Sequence, residues 1–185
     1  MNPISKLVDE HRNILKGIDL LEKAADRLGS GERIPSDFFS KMIDFIRNYA
    51  DKYHHAKEED ILFVRMERAG FPREAGPVGV MLTEHDQGRS YVSNLENANK
   101  RYAGGDKSAV SEIVDNARGY IHLLRQHINK EDNILYPMAE NALGKAGMES
   151  MWLEFEKIEQ EKSGVEQKYI GLLKELQSYL SDVSG

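Results

Sequence analysis

The chain has 185 residues, of which 30% are charged and 40% hydrophobic, and its formal net charge at pH 7 is -6. An acidic chain of this length fits one domain and is repelled by phosphate, so we expect neither a nucleic-acid partner nor binding to a membrane surface. No apolar run approaches the roughly 18 residues that would span a bilayer. The sequence contains no cysteine, which excludes disulfides and thiolate metal sites, and its first residues lack the apolar run of a signal peptide. These features predict a cytoplasmic protein.

Turn and capping residues divide the sequence into helical segments, and alternating strand patterns are weak. The predicted helices lie, in chain order, at about 3–29, 36–69, 77–104, 106–136 and 149–180. Pro137 is expected to end or kink the fourth helix. Short loops favour antiparallel neighbours, so the first four segments predict an all-α, antiparallel up-down four-helix bundle, followed by an additional C-terminal helix. We expect a single domain over 1–185, with the bundle at 1–143.

An internal repeat is the most informative feature of the sequence. Residues 54–63 read HHAKEEDILF and residues 127–136 read HINKEDNILY, so that His, Lys, Glu, Ile and Leu recur in the same order. A Glu-His dipeptide lies upstream of each copy, at residues 10–11 and 84–85. The chain is therefore interpreted as two helical hairpins of similar design.

The His-x-x-x-Glu spacing in each copy places both side chains on one face of a helix, one turn apart. In an antiparallel bundle the early part of one helix lies beside the late part of the next, so each upstream histidine can join such a pair. Imidazoles and carboxylates that converge in a bundle core form sites for divalent transition metals, and two half-sites imply two ions. The residues expected to ligate them are His11, His54, Glu58, His85, His127 and Glu131. The two glutamates are the candidates to bridge the ions.

His55 breaks the repeat, because the corresponding residue of the second copy is Ile128. Adjacent residues of an α-helix diverge by about 100°, so His55 is either a further ligand of a wide metal site or a structural residue. We favour the ligand. His122 lies about 140° round the helix from His127, which predicts a position on the surface or just outside the ligands.

Four acidic residues adjoin the expected ligands in the sequence: Glu10, Glu59, Glu84 and Asp132. Glu10 and Glu84 could accept a hydrogen bond from an imidazole and orient it, but we expect both to be solvated, and we expect Glu59 and Asp132 to face solvent or lysine partners. The nearby Tyr136 is expected in the core around the site. In the alternative, its hydroxyl reaches the site.

The motifs DEH, HHAKEED followed by IL and F, TEHDQGR, and QHINKEDNILYPMA, in this order, resemble those of the haemerythrin-like, or HHE cation-binding, family. The resemblance covers about residues 1–143 and implies an antiparallel four-helix bundle around a non-haem di-iron centre, with two Fe ions and an open position for a small molecule. Arg89 departs from the animal oxygen carriers, which have a histidine there. Their bridging aspartate corresponds to Asp132, whereas Glu131 matches the haemerythrin-like branch. His55 could supply the ligand that Arg89 cannot.

The resemblance implies a protein that binds dioxygen, or nitric oxide or peroxide, as a carrier, sensor or scavenger rather than as an enzyme. A di-iron oxidase or peroxidase is the alternative, although the Glu-x-x-His spacing of ferritin-like enzymes is missing; a metal-stabilised interaction module is another. The helix at 149–180 is expected to be structural, with solvated acids at 154–161, an apolar stripe and a kink at Gly164 as one option. The stripe must cover its own bundle or pair with a second chain as a homodimer, and we slightly favour the homodimer. Residues expected to line the small-molecule site are Leu62, Leu124, Ile128 and Leu135.

Overall fold

The structure is a computed structural model that describes residues 2–182, and almost all of them are helical. The α-helices are α1 (Pro3–Gly29), α2 (Ser36–Phe45), α3 (Phe63–Arg68), α4 (Gly76–Ala103), α5 (Ala109–Lys130), α6 (Tyr136–Glu161) and α7 (Val165–Asp182). The π-helical segments Ile46–His55 and Glu58–Leu62 connect α2 to α3, and Glu131–Leu135 connects α5 to α6. Residues 2–182 contain no strand, so the predicted all-α class is confirmed.

The helix boundaries follow the capping residues of the sequence. Asn2 caps α1, and its side-chain oxygen accepts a hydrogen bond from the backbone N–H of Ile4 at 2.8 Å. Gly31 and Gly70 follow the ends of α1 and α3 with φ of 95° and 98°, a conformation that residues with a Cβ rarely adopt. The predicted limits of the first three helical units are confirmed to within about two residues.

Four long helical units form the antiparallel up-down bundle. They are α1, the run from α2 through α3, α4, and the run from α5 into the first part of α6. In the bundle α1 packs on α5, α5 on α4 and α4 on α2, and the segment Ile46–His55 packs against α1 to close the ring. None of the helices formed by residues 2–182 combines the length and the apolar character that a membrane span needs.

The C-terminal part differs from the prediction in two places. The helix does not end at Pro137, which lies in the first turn of α6 directly after the π-helical segment Glu131–Leu135. The missing proline N–H is tolerated there, because the backbone hydrogen bonding already changes at this junction. The helix breaks instead at Gly144, with φ 61° and ψ -178°. The helix predicted at 149–180 is divided by Gly164, with φ 84°, into the end of α6 and α7, at the position where the sequence offered a kink.

The apolar stripe of α6 and α7 lies along the bundle. The stripe is buried against α1, α2 and α3 of the same chain. Its fully buried residues include Met151, Phe155 and Leu176. Of the two arrangements that the sequence allows for this stripe, the structure has the one in which it covers its own bundle.

Two apolar clusters fill the bundle, one on each side of a buried polar layer. Along α1, Leu7 belongs to one cluster and Ile14 to the other, and His11 lies between them. The fourth unit repeats this order, with Leu124 in one cluster and Leu135 in the other. The histidines and glutamates of the sequence repeat occupy the layer between the clusters, where water is excluded from both sides.

Candidate metal centre

The seven residues expected to ligate metal all lie in the buried polar layer. None of them is more than 7% exposed. They are His11 of α1, His54, His55 and Glu58 of the second unit, His85 of α4, and His127 and Glu131 of the fourth unit. Burial of so many ionisable groups is costly unless they are paired with one another or bind a cation.

The candidate ligand atoms form two groups, and within each group all of them lie within 4.8 Å of one another. The first half-site contains His11, His54, Glu58 and Glu131, and the second half-site contains His55, Glu58, His85 and His127. Glu58 belongs to both groups, so a single carboxylate connects them. The structure thus places the upstream histidines His11 and His85 beside His54 and His127, as the antiparallel arrangement predicts.

Glu131 also faces both half-sites. Its Oε2 atom lies 3.3 Å from Nε2 of His11, and its Oε1 atom lies 3.0 Å from Nε2 of His127. Each oxygen of this carboxylate therefore points to a histidine of a different half-site. A carboxylate in this position can bridge two cations.

The two carboxylate oxygens of Glu58 have different surroundings: one faces the histidines, and the other accepts a hydrogen bond. Its Oε2 atom lies 3.6 Å from Nε2 of His54 and 3.6 Å from Nε2 of His85. Its Oε1 atom accepts a hydrogen bond from the hydroxyl of Tyr136 at 2.7 Å, and this hydroxyl lies 3.3 Å from Nε2 of His11. The tyrosine hydroxyl therefore reaches the site, which the sequence suggested only as the less favoured alternative.

Several buried polar atoms of the layer have no hydrogen-bond partner among the described residues. They are Nε2 of His54, Nδ1 of His55, Oε2 of Glu58 and both carboxylate oxygens of Glu131. In the second half-site the Nε2 atoms of His85 and His127 face each other at 3.0 Å. Buried polar atoms without partners are rare, and each costs about 1–3 kcal/mol. Cations placed between these nitrogen and oxygen atoms would satisfy them together, so the donor set fits two metal ions.

The π-helical segments coincide with the site. Glu58 and Glu131 each begin one of the two short segments, and His55 ends the longer one. A π-helical turn contains more residues than an α-helical turn and is often found at functional sites. The wider turn reduces the angle between adjacent side chains, so that both His54 and His55 can be buried on the inner side.

Glu10 and Glu84 each hold a histidine of the next helix. Nδ1 of His54 lies 2.9 Å from Oε2 of Glu10, and Nδ1 of His127 lies 2.9 Å from Oε2 of Glu84. Because an ionised carboxylate only accepts, Nδ1 carries the proton, which leaves Nε2 free to ligate metal. Our expectation that these acids face solvent was wrong, and the alternative that they orient an imidazole is the one observed.

Glu59 and Asp132 hold the two upstream histidines, His85 and His11, in the same way. Nδ1 of His85 lies 2.7 Å from Oε1 of Glu59, and Nδ1 of His11 lies 2.8 Å from Oδ1 of Asp132. Here too the prediction of solvated acids was wrong. Glu59 directly follows Glu58 and Asp132 directly follows Glu131, and the π-helical turn brings each acid to the edge of the layer. The recurrence of Glu-His and Glu-acid pairs in both copies of the repeat was the signal for all four contacts.

Lys57 is fully buried beside the first half-site, which the sequence did not predict. Its ammonium group donates hydrogen bonds to Oε1 of Glu10 and, at 2.6 Å, to Oε1 of Glu159. The other oxygen of Glu159 accepts a hydrogen bond from the hydroxyl of Tyr53 at 2.6 Å. The expectation that the acids of 154–161 face solvent is therefore wrong for Glu159, because α6 folds back onto the bundle at this point.

A small cavity of about 80 Å³ adjoins the second half-site. Its walls include His55, His85 and His127 together with Ile46, Val92 and Leu124. Leu124 was among the expected lining residues, whereas Leu62, Ile128 and Leu135 are buried without lining this cavity. Burial and the nearby His85 lower the pKa of His55 to about 3, so this imidazole is neutral near pH 7 and has the form that ligates metals.

Arg89 lies at the edge of this cavity and is not free. Its guanidinium donates hydrogen bonds to Oδ1 of Asp51 at 2.7 Å and to Oε1 of Glu59 at 2.6 Å. Asp51 Oδ1 lies 3.4 Å from Nδ1 of His55. Arg89 therefore contacts acids that adjoin two histidines of the second half-site.

The charges within the layer interact strongly. Burial and the neighbouring Glu131 raise the pKa of Glu58 well above its usual range. Burial acts in the same direction on Glu131, but His127 and His11 outweigh it, and the pKa of Glu131 falls well below its usual range. Burial opposes protonation of those two histidines, yet their carboxylate partners raise the pKa to about 9 for His11 and to about 10 for His127. Protons on His11 and His127 therefore balance the charge of Glu131, and metal ions could supply this positive charge in place of protons.

The helical bundle with two buried His/Glu groups defines a class of protein, the metal-binding four-helix bundles. Comparison with protein families matches residues 2–139 to the Hemerythrin HHE cation binding domain. The match covers most of the chain, which therefore belongs to the hemerythrin HHE cation-binding family.

Similar proteins include relatives with and without a descriptive name. An uncharacterized protein of Mycobacterium tuberculosis (strain ATCC 25618 / H37Rv) is 25% identical over 159 residues, which are 85% of this chain and 61% of the relative. The iron-sulfur cluster repair protein YtfE of Yersinia pestis (strain Pestoides F) is 28% identical over 140 residues, 74% of this chain and 62% of the relative. The chain thus spans about three fifths of the length of these relatives. No solved structure gave a significant match.

Proposed function

We propose that this chain holds two iron ions in a non-haem di-iron centre and binds a small molecule there. The proposed ligands are His11, His54, His55, Glu58, His85, His127 and Glu131. The observation that carries the proposal is the set of buried, unpartnered nitrogen and oxygen atoms that converge in two groups around the shared Glu58. Imidazole and carboxylate together suit iron, and the family match supports a cation.

The proposed small molecule is dioxygen, with nitric oxide and peroxide as related candidates, and the role is that of a carrier, sensor or scavenger. Bound iron supplies the ligand-binding and redox chemistry. The chain supplies a cavity of about 80 Å³ beside His55, His85 and His127, which is large enough for one or a few small molecules. Its walls include the apolar side chains of Ile46, Val92 and Leu124 besides charged ones, and these apolar groups limit the amount of water beside the second half-site.

Within residues 2–182, the first half-site is covered by neighbouring side chains. Tyr136 and the network around Lys57 cover it, and Glu58, Lys57 and Glu131 are fully buried there. We therefore assign small-molecule binding to the second half-site and a closed, supporting role to the first. Because the two half-sites have different roles in this proposal, the side from which a small molecule enters can be tested.

A second candidate function comes from the relatives described as iron-sulfur cluster repair proteins. For this chain that role would mean donating iron to a damaged cluster. The burial of all seven proposed ligands argues for retention of iron, because release requires the bundle to open. Transfer of iron from the loaded protein to an apo-ferredoxin, faster than release to buffer, would favour repair over binding.

The test of the proposed function starts from protein loaded with Fe(II) without oxygen. Two irons per chain are expected, and exposure to air or nitric oxide should change the visible absorption spectrum reversibly, without continuous oxygen consumption. The exposed variant His122→Ala is the matched control and should behave as the wild type. Continuous oxygen consumption or peroxide decay would replace the binding role by an oxidase or peroxidase, and absence of iron binding would reject the proposal.

We also propose that the bundle of 1–143 and the helices after it form one domain. The apolar stripe of α6 and α7 packs on its own bundle, so a homodimer has to use a different surface. Light scattering of the purified protein gives the oligomeric state directly, and a dimer that persists at low micromolar concentration would require a second interface.

A further inference from the structure

Lys57 has a charged side chain in the interior of the protein, where burial of an unpaired charge is energetically unfavourable. It is fully buried, and its ammonium nitrogen lies 3.6 Å from the centre of the Tyr53 ring. Its hydrogen-bond acceptors are one oxygen of Glu10 and one oxygen of Glu159. A buried ammonium is tolerated only when such partners surround it, so Lys57 and the two acids depend on one another.

This cluster is connected to the first half-site by a short series of contacts. Glu159 contacts Lys57, Lys57 contacts Glu10, and the second oxygen of Glu10 accepts from Nδ1 of His54 at 2.9 Å. The position of Glu10 therefore fixes which ring nitrogen of His54 carries the proton and how the ring is oriented. Glu159 itself is held by the Tyr53 hydroxyl at 2.6 Å.

The second half-site contains a similar series of contacts, but this series ends at a lysine, Lys130. Lys130 contacts Glu84, and Glu84 accepts from Nδ1 of His127 at 2.9 Å. Among the described residues, Lys130 has no further acidic partner, and its side chain is 33% exposed. Glu159 lies beyond residue 139, where the family match ends. The later part of the chain thus supports one half-site and leaves the other with Lys130 and Glu84 alone.

We propose that Glu159 is a positioning residue for the first half-site. Through Lys57 and Glu10 it holds the His54 ring so that Nε2 faces the metal, and it thereby makes the first half-site bind its ion more tightly than the second. This inference rests on the proposed di-iron centre, although its effect on the His54 ring is independent of iron.

The first experiment measures release of Fe(II) from the loaded protein to a coloured Fe(II) chelator. The wild type should release its two ions in two phases. Glu159→Gln removes the charge but keeps the shape, and it should accelerate the slow phase about tenfold while the fast phase changes less than about twofold. Tyr53→Phe, which removes only the hydroxyl that holds Glu159, should accelerate the same phase by a smaller factor and serves if Glu159→Gln fails to fold.

The matched control is Glu154→Gln. Glu154 belongs to the same helix α6 and also pairs with a cation, but it is exposed and its partner is Arg65 rather than Lys57. This variant should leave both release phases unchanged. Equal acceleration of both phases in Glu159→Gln, or no acceleration, would overturn the proposal.

The second experiment observes the histidine rings directly by proton–nitrogen NMR of the Zn²⁺-loaded protein. Glu159→Gln should shift the Nδ1 proton signal of His54 and leave that of His127 in place, a pattern that general destabilisation would not produce. Signals that move together, or a His54 signal that does not move, would contradict the positioning role. If the wild type failed to hold two irons while the His54 signal still moved, the proposed function would fail and the positioning role would stand.

Discussion

The two half-sites are built on the same plan but differ in what surrounds them. Each has an upstream histidine, a histidine from the repeat and an acid that holds each Nδ1 atom. The first half-site is closed by Tyr136 and Lys57, whereas the second has an additional histidine, His55, and a cavity of about 80 Å³. The corresponding residues in the other copy of the repeat are Phe63 for Tyr136 and Ile128 for His55.

This comparison separates the residues that would hold the proposed metal ions from those that would give a small molecule access to them. In the proposed centre, the contacts common to both halves, from Glu58, Glu131 and the four acids, would hold two ions. The differences, at Tyr136, His55 and Glu159, would give one ion a closed environment and the other a side open to a small molecule. Substitutions at the common positions should therefore affect both ions, and substitutions at the differing positions should affect one.

The largest effect is expected from removing a bridging carboxylate. Glu58→Ala or Glu131→Ala leaves two cations close together without the negative charge between them, so both ions should be lost. Elemental analysis should show iron falling from about two per chain to well below one. Iron at the wild-type level in both variants would remove these glutamates from the ligand set.

His55→Ala should remove about half of the iron. His55 has no counterpart in the first half-site, so one ion should remain tightly bound and the other should be weakened by about tenfold to a hundredfold. Titration with Fe(II) followed by elemental analysis measures both affinities. Two unchanged affinities would make His55 a structural residue, and the loss of both ions would contradict the division into half-sites.

Tyr136→Phe should have a smaller effect, confined to the first half-site and to stability. The variant leaves Oε1 of the buried Glu58 without its donor at 2.7 Å, which should cost about 1–3 kcal/mol. Denaturant unfolding of the variant and of the wild type measures the difference. A variant as stable as the wild type would show that this hydrogen bond contributes little. Phe63→Tyr, at the equivalent position of the repeat, is the matched comparison.

The smallest effect is expected at His122. Its side chain is exposed on the outer face of α5, although it lies only five residues before His127. His122→Ala should leave iron content and the visible spectrum within experimental error of the wild type. A clear loss of iron in this variant would mean that the inner face of α5 has been assigned wrongly.

The repeat allowed the bundle and the positions of the expected ligands to be predicted, because helical spacing alone places His54 beside Glu58 and His127 beside Glu131. The partners of Nδ1 could not be predicted in the same way. Spacing within one helix does not show which acid of a neighbouring helix reaches a given ring, and the π-helical turns changed the direction of the residues that follow each bridging glutamate.

The role of the C-terminal part was harder still to infer. Glu159 lies among other acids of α6, and in the sequence it cannot be distinguished from Glu154 or Glu156, which form no ion pair with Lys57 in the described part of the chain. Only the path of the chain after Gly144, set by its positive φ of 61°, brings this one acid to Lys57. The buried lysine was visible in the repeat, but a lysine in a helix is usually a surface residue.

Crystals of the iron-loaded protein, measured at wavelengths on both sides of the iron absorption edge, test the two-half-site account most directly. Two anomalous peaks are predicted roughly 3.5–4 Å apart, one beside His11 and His54 and one beside His55, His85 and His127. Glu58 and Glu131 should lie between them. A single peak, or peaks outside the polar layer, would contradict the di-iron centre.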